Sequence, residues 1–397
     1  MSSKIEYTKQ ASPANWTKIG MILVIAGLVM VGAGFAMDST RTAFNSIVGL
    51  LFLSSVAVGA LFMVALEYVA GAVWSTPYRR IAEILASIVL ILPLFAIPGL
   101  IKMHDIFHWT HVETFANDII LKNKSPYLNT GFFIARMVFG FVVWMVFYYI
   151  LTKNSQKQDT NGDQNLTKKN IKISAIFMPL FAITLTIMAI DWMMSLEPHW
   201  FSTIFGVYYF AGTFLCALAF ITIIAITMNE KGLLVKGLGE DHYYSLGALL
   251  FAFINFWAYI AFSQYLLIWY ANLPEETYWF IERYQGSWAY ISYGMVFIHF
   301  VVPYIVLLPQ PAKKDPKRLK FIAIWIIFAH IYDLYWLIMP TYTKSHNING
   351  MVFSFYEIAF PVLAIGVILV WFGFMSKNKN LVPIGDPKLQ RAVDFHL

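Results

Sequence analysis

The amino-acid sequence predicts an all-α integral membrane protein with ten transmembrane helices and both termini cytoplasmic. Three observations carry that reading. Of the 397 residues, 59% are hydrophobic and only 13% charged, with a mean hydropathy of +0.63, whereas a soluble globular chain carries roughly 25% charged residues. The apolar residues gather into stretches of about twenty, the length that a ~30 Å hydrocarbon core requires. The basic residues are sorted by loop: alternating the spans from an inner N-terminus puts 21 of the 28 Lys and Arg on the inner side and six on the outer, the asymmetry that orients membrane proteins.

The spans fall at 16–37, 44–74, 80–101, 131–152, 171–194, 202–228, 243–271, 286–309, 318–340 and 350–375. Residues 1–15 are polar and the run after them is long enough to span, so no cleaved signal is expected. Pro93 and Pro98 should disrupt the third helix. The inner connection Lys153–Asn170 is polar throughout and reads as a flexible linker. The outer segments 102–130, 195–201 and 272–285 are richer in aromatic and acidic residues, which suits either a packing surface or an interfacial aromatic belt. A faint duplication is also visible. The fifth span ends in Asp191-Trp192-Met193-Met194-Ser195-Leu196-Glu197-Pro198, and the ninth in Asp333-Leu334-Tyr335-Trp336-Leu337-Ile338-Met339-Pro340. Both set an Asp about two turns before a Pro. The organisation expected is a first segment at 1–43, four-helix bundles at 44–194 (helices 2–5) and 202–340 (helices 6–9), and a tenth helix with its tail at 350–397.

Composition excludes several classes. The single cysteine, Cys216, cannot form an internal disulfide, ligate an iron–sulfur cluster or attach a haem through CxxCH. The net charge of +6 is spread between apolar spans, so it orients the protein rather than binding nucleic acid.

Ionisable residues at membrane depth are costly and normally mark a pathway or a site. Asp191, Arg136 and the histidines His104, His108 and His111, spaced i, i+4, i+7, can line an outer cavity of the first bundle. A quinol head group needs such acceptors, a cation and apolar walls. The plain alternative is an Asp191–Arg136 tie between two helices, with the histidines in contact with water. A second set, Glu67, His299, His330, Asp333 and Glu357, offers a proton pathway, with Ser263, Gln264, Tyr304 and Tyr332 as extensions. His299 and His330 also admit a bis-histidine haem, or simply hydrogen-bonded core histidines. Glu67 and Glu83 can open an inward half-channel beside Arg79 and Arg80, while snorkelling explains Glu83 and both arginines without any function.

Two longer motifs carry a resemblance. Asp191–Phe201 (DWMMSLEPHWF) and Asn255–Ile268 (NFWAYIAFSQYLLI), the latter running into WYANLPEET, are similar to the membrane subunits of bacterial alternative complex III. These belong to the polysulfide-reductase-like (NrfD-like) superfamily. The likeness extends over essentially the whole chain and is greatest to the smaller of two paralogous ten-helix subunits. It implies two four-helix bundles in a bacterial cytoplasmic membrane and a quinol:cytochrome c oxidoreductase assembly. Haem and iron–sulfur clusters would then reside in partners: a periplasmic iron–sulfur subunit, a multihaem cytochrome c subunit, the larger paralogue and small membrane subunits. This chain would hold no metal or covalent cofactor, with quinol or quinone as its candidate small molecule.

Three functional classes remain distinct at this stage. An anchoring, proton-conducting or quinol-binding subunit should co-purify with c-type haem. A secondary transporter should take up substrate alone and show interrupted helices at mid-membrane. A passive anchor should tolerate loss of its buried acids.

Overall fold

The computed structural model of the chain describes residues 13–111, 113, 118–377 and 379–397. No strand occurs among them, and ten helices are long and apolar enough to cross a membrane: α1 Asn15–Met37, α2 Ser39–Ala70, α3 Thr76–Ile101, α4 Thr130–Asn161, α5 Asn165–Leu196, α6 Phe205–Glu230, α7 Glu240–Ala271, α8 Trp288–Leu307, α9 Pro316–Ser345 and α10 Phe355–Ser376. This is a multi-pass membrane protein.

Local chemistry sets the helix ends. Asp38 accepts the Arg41 amide at the start of α2, and Asn129 accepts the Phe132 amide at the start of α4. Gly71 and Gly162 end those helices at φ 66° and 64°, a left-handed turn that glycine adopts without a Cβ penalty. Ser354 and Glu357 form a reciprocal capping box on α10.

The expected linker at 153–170 is helical instead. α4 and α5 run past the apolar stretch and are joined by a short turn at Gly162. Asn154 donates to Asn170 at 2.8 Å and Gln158 to Thr167 at 2.7 Å, so polar side chains pair the two helices where hydrophobicity runs out.

α2 is the central post, buried along nearly its whole apolar length, and it packs against α1, α3, α5, α6, α9 and α10. Close approach to α6 requires Gly59, because a Cβ there would sit 2.8 Å from the Thr213 carbonyl oxygen. Small residues at such crossings bring backbones together where no water drives association. α1 lies outermost and leans on α10, where Gly20, Gly27 and Gly366 permit backbone contact.

Prolines reshape two spans. α3 is broken over Ser87–Leu90 before resuming at Leu92, just ahead of Pro93, whose ring excludes the carbonyl one turn earlier. In α8, a π-helical turn covers Val296–Val301 ahead of Pro303. Pro303 lacks the N–H that would reach the His299 carbonyl, and the Trp325 indole donates to the neighbouring Ile298 carbonyl at 2.7 Å. Such π turns are frequent at functional sites.

Cross-links divide the loops into two faces. On one, Lys124 donates to the Pro198 carbonyl, Trp200 to the Glu276 carbonyl, and Lys344 pairs with Glu197 and Glu282. On the other, Asp386 of the C-terminal tail meets Arg79, and Asp159 meets Arg80. The tail lies across this second face, burying Leu381, Val382 and Leu389, and its Ala392 carbonyl accepts from His242 at 2.7 Å.

Candidate functional site

The two repeat-related aspartates have different surroundings. Asp191 is locked to Arg136 by paired bonds of 2.8 and 2.9 Å, the bidentate geometry that suits guanidinium and carboxylate. Arg136 also donates to the Tyr127 carbonyl and lies against the Tyr127 and Phe132 rings at 3.7 and 4.4 Å. The space left beside the pair is about 20 Å³, too small for a ring.

The three nearby histidines do not continue α3 as one face. Extended backbone at Phe107 splits the segment into turns at Met103–Ile106 and His108–Thr110. His104 and His111 still meet, their rings 3.8 Å apart, and the His111 Nε2 lies 3.0 Å from the His104 carbonyl. His104 and His108 are exposed on the loop face, over a buried aromatic layer of Phe107, Trp109, Phe133 and Trp192. None of the three lines the space at Asp191. The first set is therefore divided into a helix tie and a surface cluster. Replacing one member of a buried pair strands the other charge, typically at about 3–5 kcal/mol. Arg136→Met should accordingly lower the thermal transition sharply, and Arg136→Met with Asp191→Leu should restore most of it; equal transitions for the two variants would refute the tie.

Among the described residues no cation pairs with Asp333. The Tyr208 hydroxyl donates to one oxygen at 2.5 Å and the Trp257 indole to the other at 3.2 Å. Trp257 in turn stacks on His299, with ring centres 3.6 Å apart and planes 15° from parallel. His330, one turn from Asp333, contacts Ser55 through Nε2 at 2.9 Å. The Ser55 hydroxyl also reaches the Leu51 carbonyl at 2.8 Å and the Tyr209 and Thr213 hydroxyls at 3.3 Å, so it can give or take a proton at Nε2, and the other ring nitrogen of His330 is Nδ1. That Nδ1 and both ring nitrogens of His299 have no partner. Room for the His330 ring comes from Gly212, where a Cβ would fall 2.9 Å from it. Every member is at most 4% exposed, and five helices supply them: Ser55 on α2, Tyr208 on α6, Trp257 on α7, His299 on the π turn of α8, and His330 and Asp333 on α9.

His299, His330 and Asp333 each offer a ligand atom, all within 4.8 Å of one another, the composition of a two-histidine, one-carboxylate metal site. Both carboxylate oxygens accept hydrogen bonds, and Trp257 stacks on the face of the His299 ring, which leaves its in-plane nitrogen lone pairs uncovered. The bis-histidine haem has no matching space beside it, since the lining of the neighbouring cavity includes neither His299 nor His330. The Asp333 carboxylate bonds the Tyr208 hydroxyl and His330 bonds the Ser55 hydroxyl, while carboxylate and imidazoles lie within 4.8 Å of one another, close enough for proton exchange through one bridging water.

Beside this cluster lies a cavity of about 450 Å³ between α7 and α8, walled mainly by aromatic and apolar side chains and including Tyr208, Trp257 and Gln264. Its volume is within the ~300–1,000 Å³ of small-molecule sites.

The remaining candidates lie elsewhere. Glu357 accepts from Arg41 at 2.7 and 2.8 Å and from Asn45 at 3.1 Å while capping α10, so it ties α2 to α10. Glu67 accepts from Arg79 at 2.9 Å and Thr76 at 3.2 Å. Arg79 continues to Asp386 at 2.6 Å and Glu83 at 3.6 Å, and Arg80 bridges Glu83 and Asp159 at 2.7 Å each. Arg79, Arg80 and Glu83 are buried, so snorkelling does not describe them; they are a closed network under the tail. Tyr332 donates to the Ile291 carbonyl and Tyr304 stacks on Phe251 and Phe300, so neither extends the cluster. Sequence reading missed Ser55, Tyr208 and Trp257; hydroxyls and indoles in apolar helices give no signal until the carboxylate they serve is placed.

Arg283, on the short helix Pro274–Arg283, is a second unexpected feature. It is buried and donates to the Trp336 and Leu337 carbonyls at 3.3 and 2.9 Å. Pro340 cannot donate to Trp336, so the guanidinium serves a carbonyl that the proline leaves free. Burial pulls its pKa down to about 9, with Glu197 and Glu282 opposing; it stays a cation at neutral pH.

No protein-family model matches the chain, and no curated protein matches it.

Proposed function

We propose that this chain is an integral membrane subunit of a quinol-oxidising respiratory assembly in a bacterial cytoplasmic membrane, and that it moves protons through the Asp333–His330–Ser55 cluster. In this reading α2–α5 and α6–α9 are two four-helix units flanked by α1 and α10, both termini are cytoplasmic, and the loop face meets the electron-transfer partners. The single observation that carries it is a buried carboxylate held by a phenol and an indole, with no cation, beside two imidazoles having three unpartnered nitrogens. A static core rarely leaves such groups unsatisfied.

The route continues toward Glu67, twelve positions along α2 from Ser55 and so about 18 Å away. Ser54 and Tyr68 on α2 and Thr222 on α6 have buried hydroxyls without partners. Ordered water can complete such groups, and a file of it would join the two acids. The resemblance in the 191–201 and 255–268 segments supplies the quinol-linked context.

The test is purification of the tagged full chain from its native membrane. Stoichiometric c-type haem and quinol-dependent reduction of an acceptor are expected. A chain that emerges from mild detergent without haem or partners would overturn the assignment to an assembly.

A further inference from the structure

Three buried nitrogens without partners converge on a carboxylate in the second half of the chain. His299, His330 and Asp333 each present one ligand atom within 4.8 Å of the others, and none is more than 2% exposed. One bridging water satisfies some of these atoms. It does not explain why each donor is braced from behind.

His330 reaches Ser55 through Nε2 at 2.9 Å, and Ser55 passes on to the Leu51 carbonyl. With the proton on Nε2 the lone pair is at Nδ1, which has no partner. Gly212 keeps the space beside that nitrogen clear, since a Cβ would lie 2.9 Å from it. Asp333 is fixed by Tyr208 at 2.5 Å and Trp257 at 3.2 Å, one donor on each oxygen. A carboxylate has about four acceptor sites, so each oxygen retains a lone pair for a further ligand. His299 is aligned by its stack on Trp257, and neither ring nitrogen has a partner. Outer hydrogen bonds of this kind orient the imidazoles and carboxylates that ligate metals.

The donor set suits zinc. Zinc takes three protein ligands and leaves a fourth position for water, with bonds of ~2.0–2.1 Å that set its ligand atoms about 3.4 Å apart. The 4.8 Å spread then has to close by roughly 1.4 Å, within reach of small side-chain rotations. Calcium and magnesium prefer shells of oxygen, which two imidazoles do not supply. The ion also brings the positive charge that a buried carboxylate needs.

We propose that His299, His330 and Asp333 form a binding site for a divalent cation of the zinc type, with Ser55, Tyr208 and Trp257 holding the ligands in place. This departs from the expectation, implied by the resemblance, that the chain holds no metal. A lone pair given to a metal cannot also take a proton, so occupancy switches the cluster off as a relay. That consequence alone rests on the proposed function; the binding rests on the geometry.

The experiment uses the full chain, purified with a histidine-free tag, treated with EDTA and titrated with Co2+ as a coloured stand-in for zinc. His104 and His108 are replaced by Ala in every sample, so that exposed imidazoles do not compete. Co2+ is also supplied during expression, which loads the site before the helices close over it, and elemental analysis counts any zinc that resists the chelator. One metal ion per chain is expected, with the visible bands of four-coordinate cobalt and displacement by Zn2+. His299→Phe keeps a ring against Trp257 and removes no partnered nitrogen, so it should melt as the parent does. It should weaken Co2+ binding about a hundredfold or more, beyond the ~10–100-fold cost of losing an outer contact, for which Ser55→Ala is the measure. Metal retained by His299→Phe, six-coordinate spectra, or no metal by either route overturns the proposal and leaves water in the cluster. Because binding is read without turnover, the two readings fail separately. Uptake by a chain lacking haem and partners would end the assembly reading only, whereas a haem-containing, quinol-oxidising assembly without uptake would end this one only.

Discussion

Under the proposed function, Asp333→Asn is expected to reduce quinol-dependent turnover and the accompanying proton movement by at least tenfold while leaving the fold intact. The substitution preserves volume, and an amide oxygen can still accept the Trp257 indole that now bonds at 3.2 Å. What disappears is the ability to take up and release a proton, and positioned acid–base groups are commonly worth ~10²–10⁴ in rate. The same change at the repeat-related position makes the natural control. Asp191→Asn removes a bidentate partner of Arg136, so its effect should fall on stability and leave quinol kinetics close to the parent. Steady-state oxidation of quinol and proton release from vesicles, measured on both variants, separate the roles. Unchanged turnover in an assembled Asp333→Asn protein would make the second cluster as structural as the first.

Arg79→Met should be the most destabilising single change in the chain. Its guanidinium lies against Glu67, Glu83 and Asp386, each pair essentially without solvent. Breaking one buried pair costs about 3–5 kcal/mol because a charge is left without compensation, and here three carboxylates lose a shared partner. A large drop in thermal transition, or failure to accumulate in the membrane, is the expected result. Adding Glu67→Gln and Asp386→Asn should recover a substantial part. Removing residues 377–397 should reproduce the milder part of the phenotype, since it deletes Asp386 and uncovers the hydrophobic ends beneath Leu381 and Val382. Transitions that differ from the parent by less than a degree would show that the network contributes nothing.

The spans were legible because twenty-residue apolar runs have few alternatives, and the disruption at Pro93 because a ring without an N–H cannot be accommodated silently. The 153–170 segment was not, since polarity reads as loop until amide side chains such as Asn154 and Asn170 find each other across a helix pair. The acids and histidines of the site were visible as costly residues at depth. Their sorting was not. Asp191 and Asp333 look alike in sequence, and only the placement of Arg136 beside one and Tyr208 beside the other makes the first a tie and the second a candidate acid. Glu357 was read as part of a relay because its depth was known and its role as a cap on α10 was not. The 255–268 motif proved informative twice, supplying Trp257 to the cluster and Gln264 to the cavity.

The packing of α1 has a consequence for biogenesis. Its glycines dock on α10, where Gly27 meets Leu363, and few other helices touch it. At ~5–20 residues per second, the ribosome needs roughly half a minute to deliver the partner. Until then only the smaller contact with α2 holds α1 in place, and its main docking waits for the latest of the ten described spans.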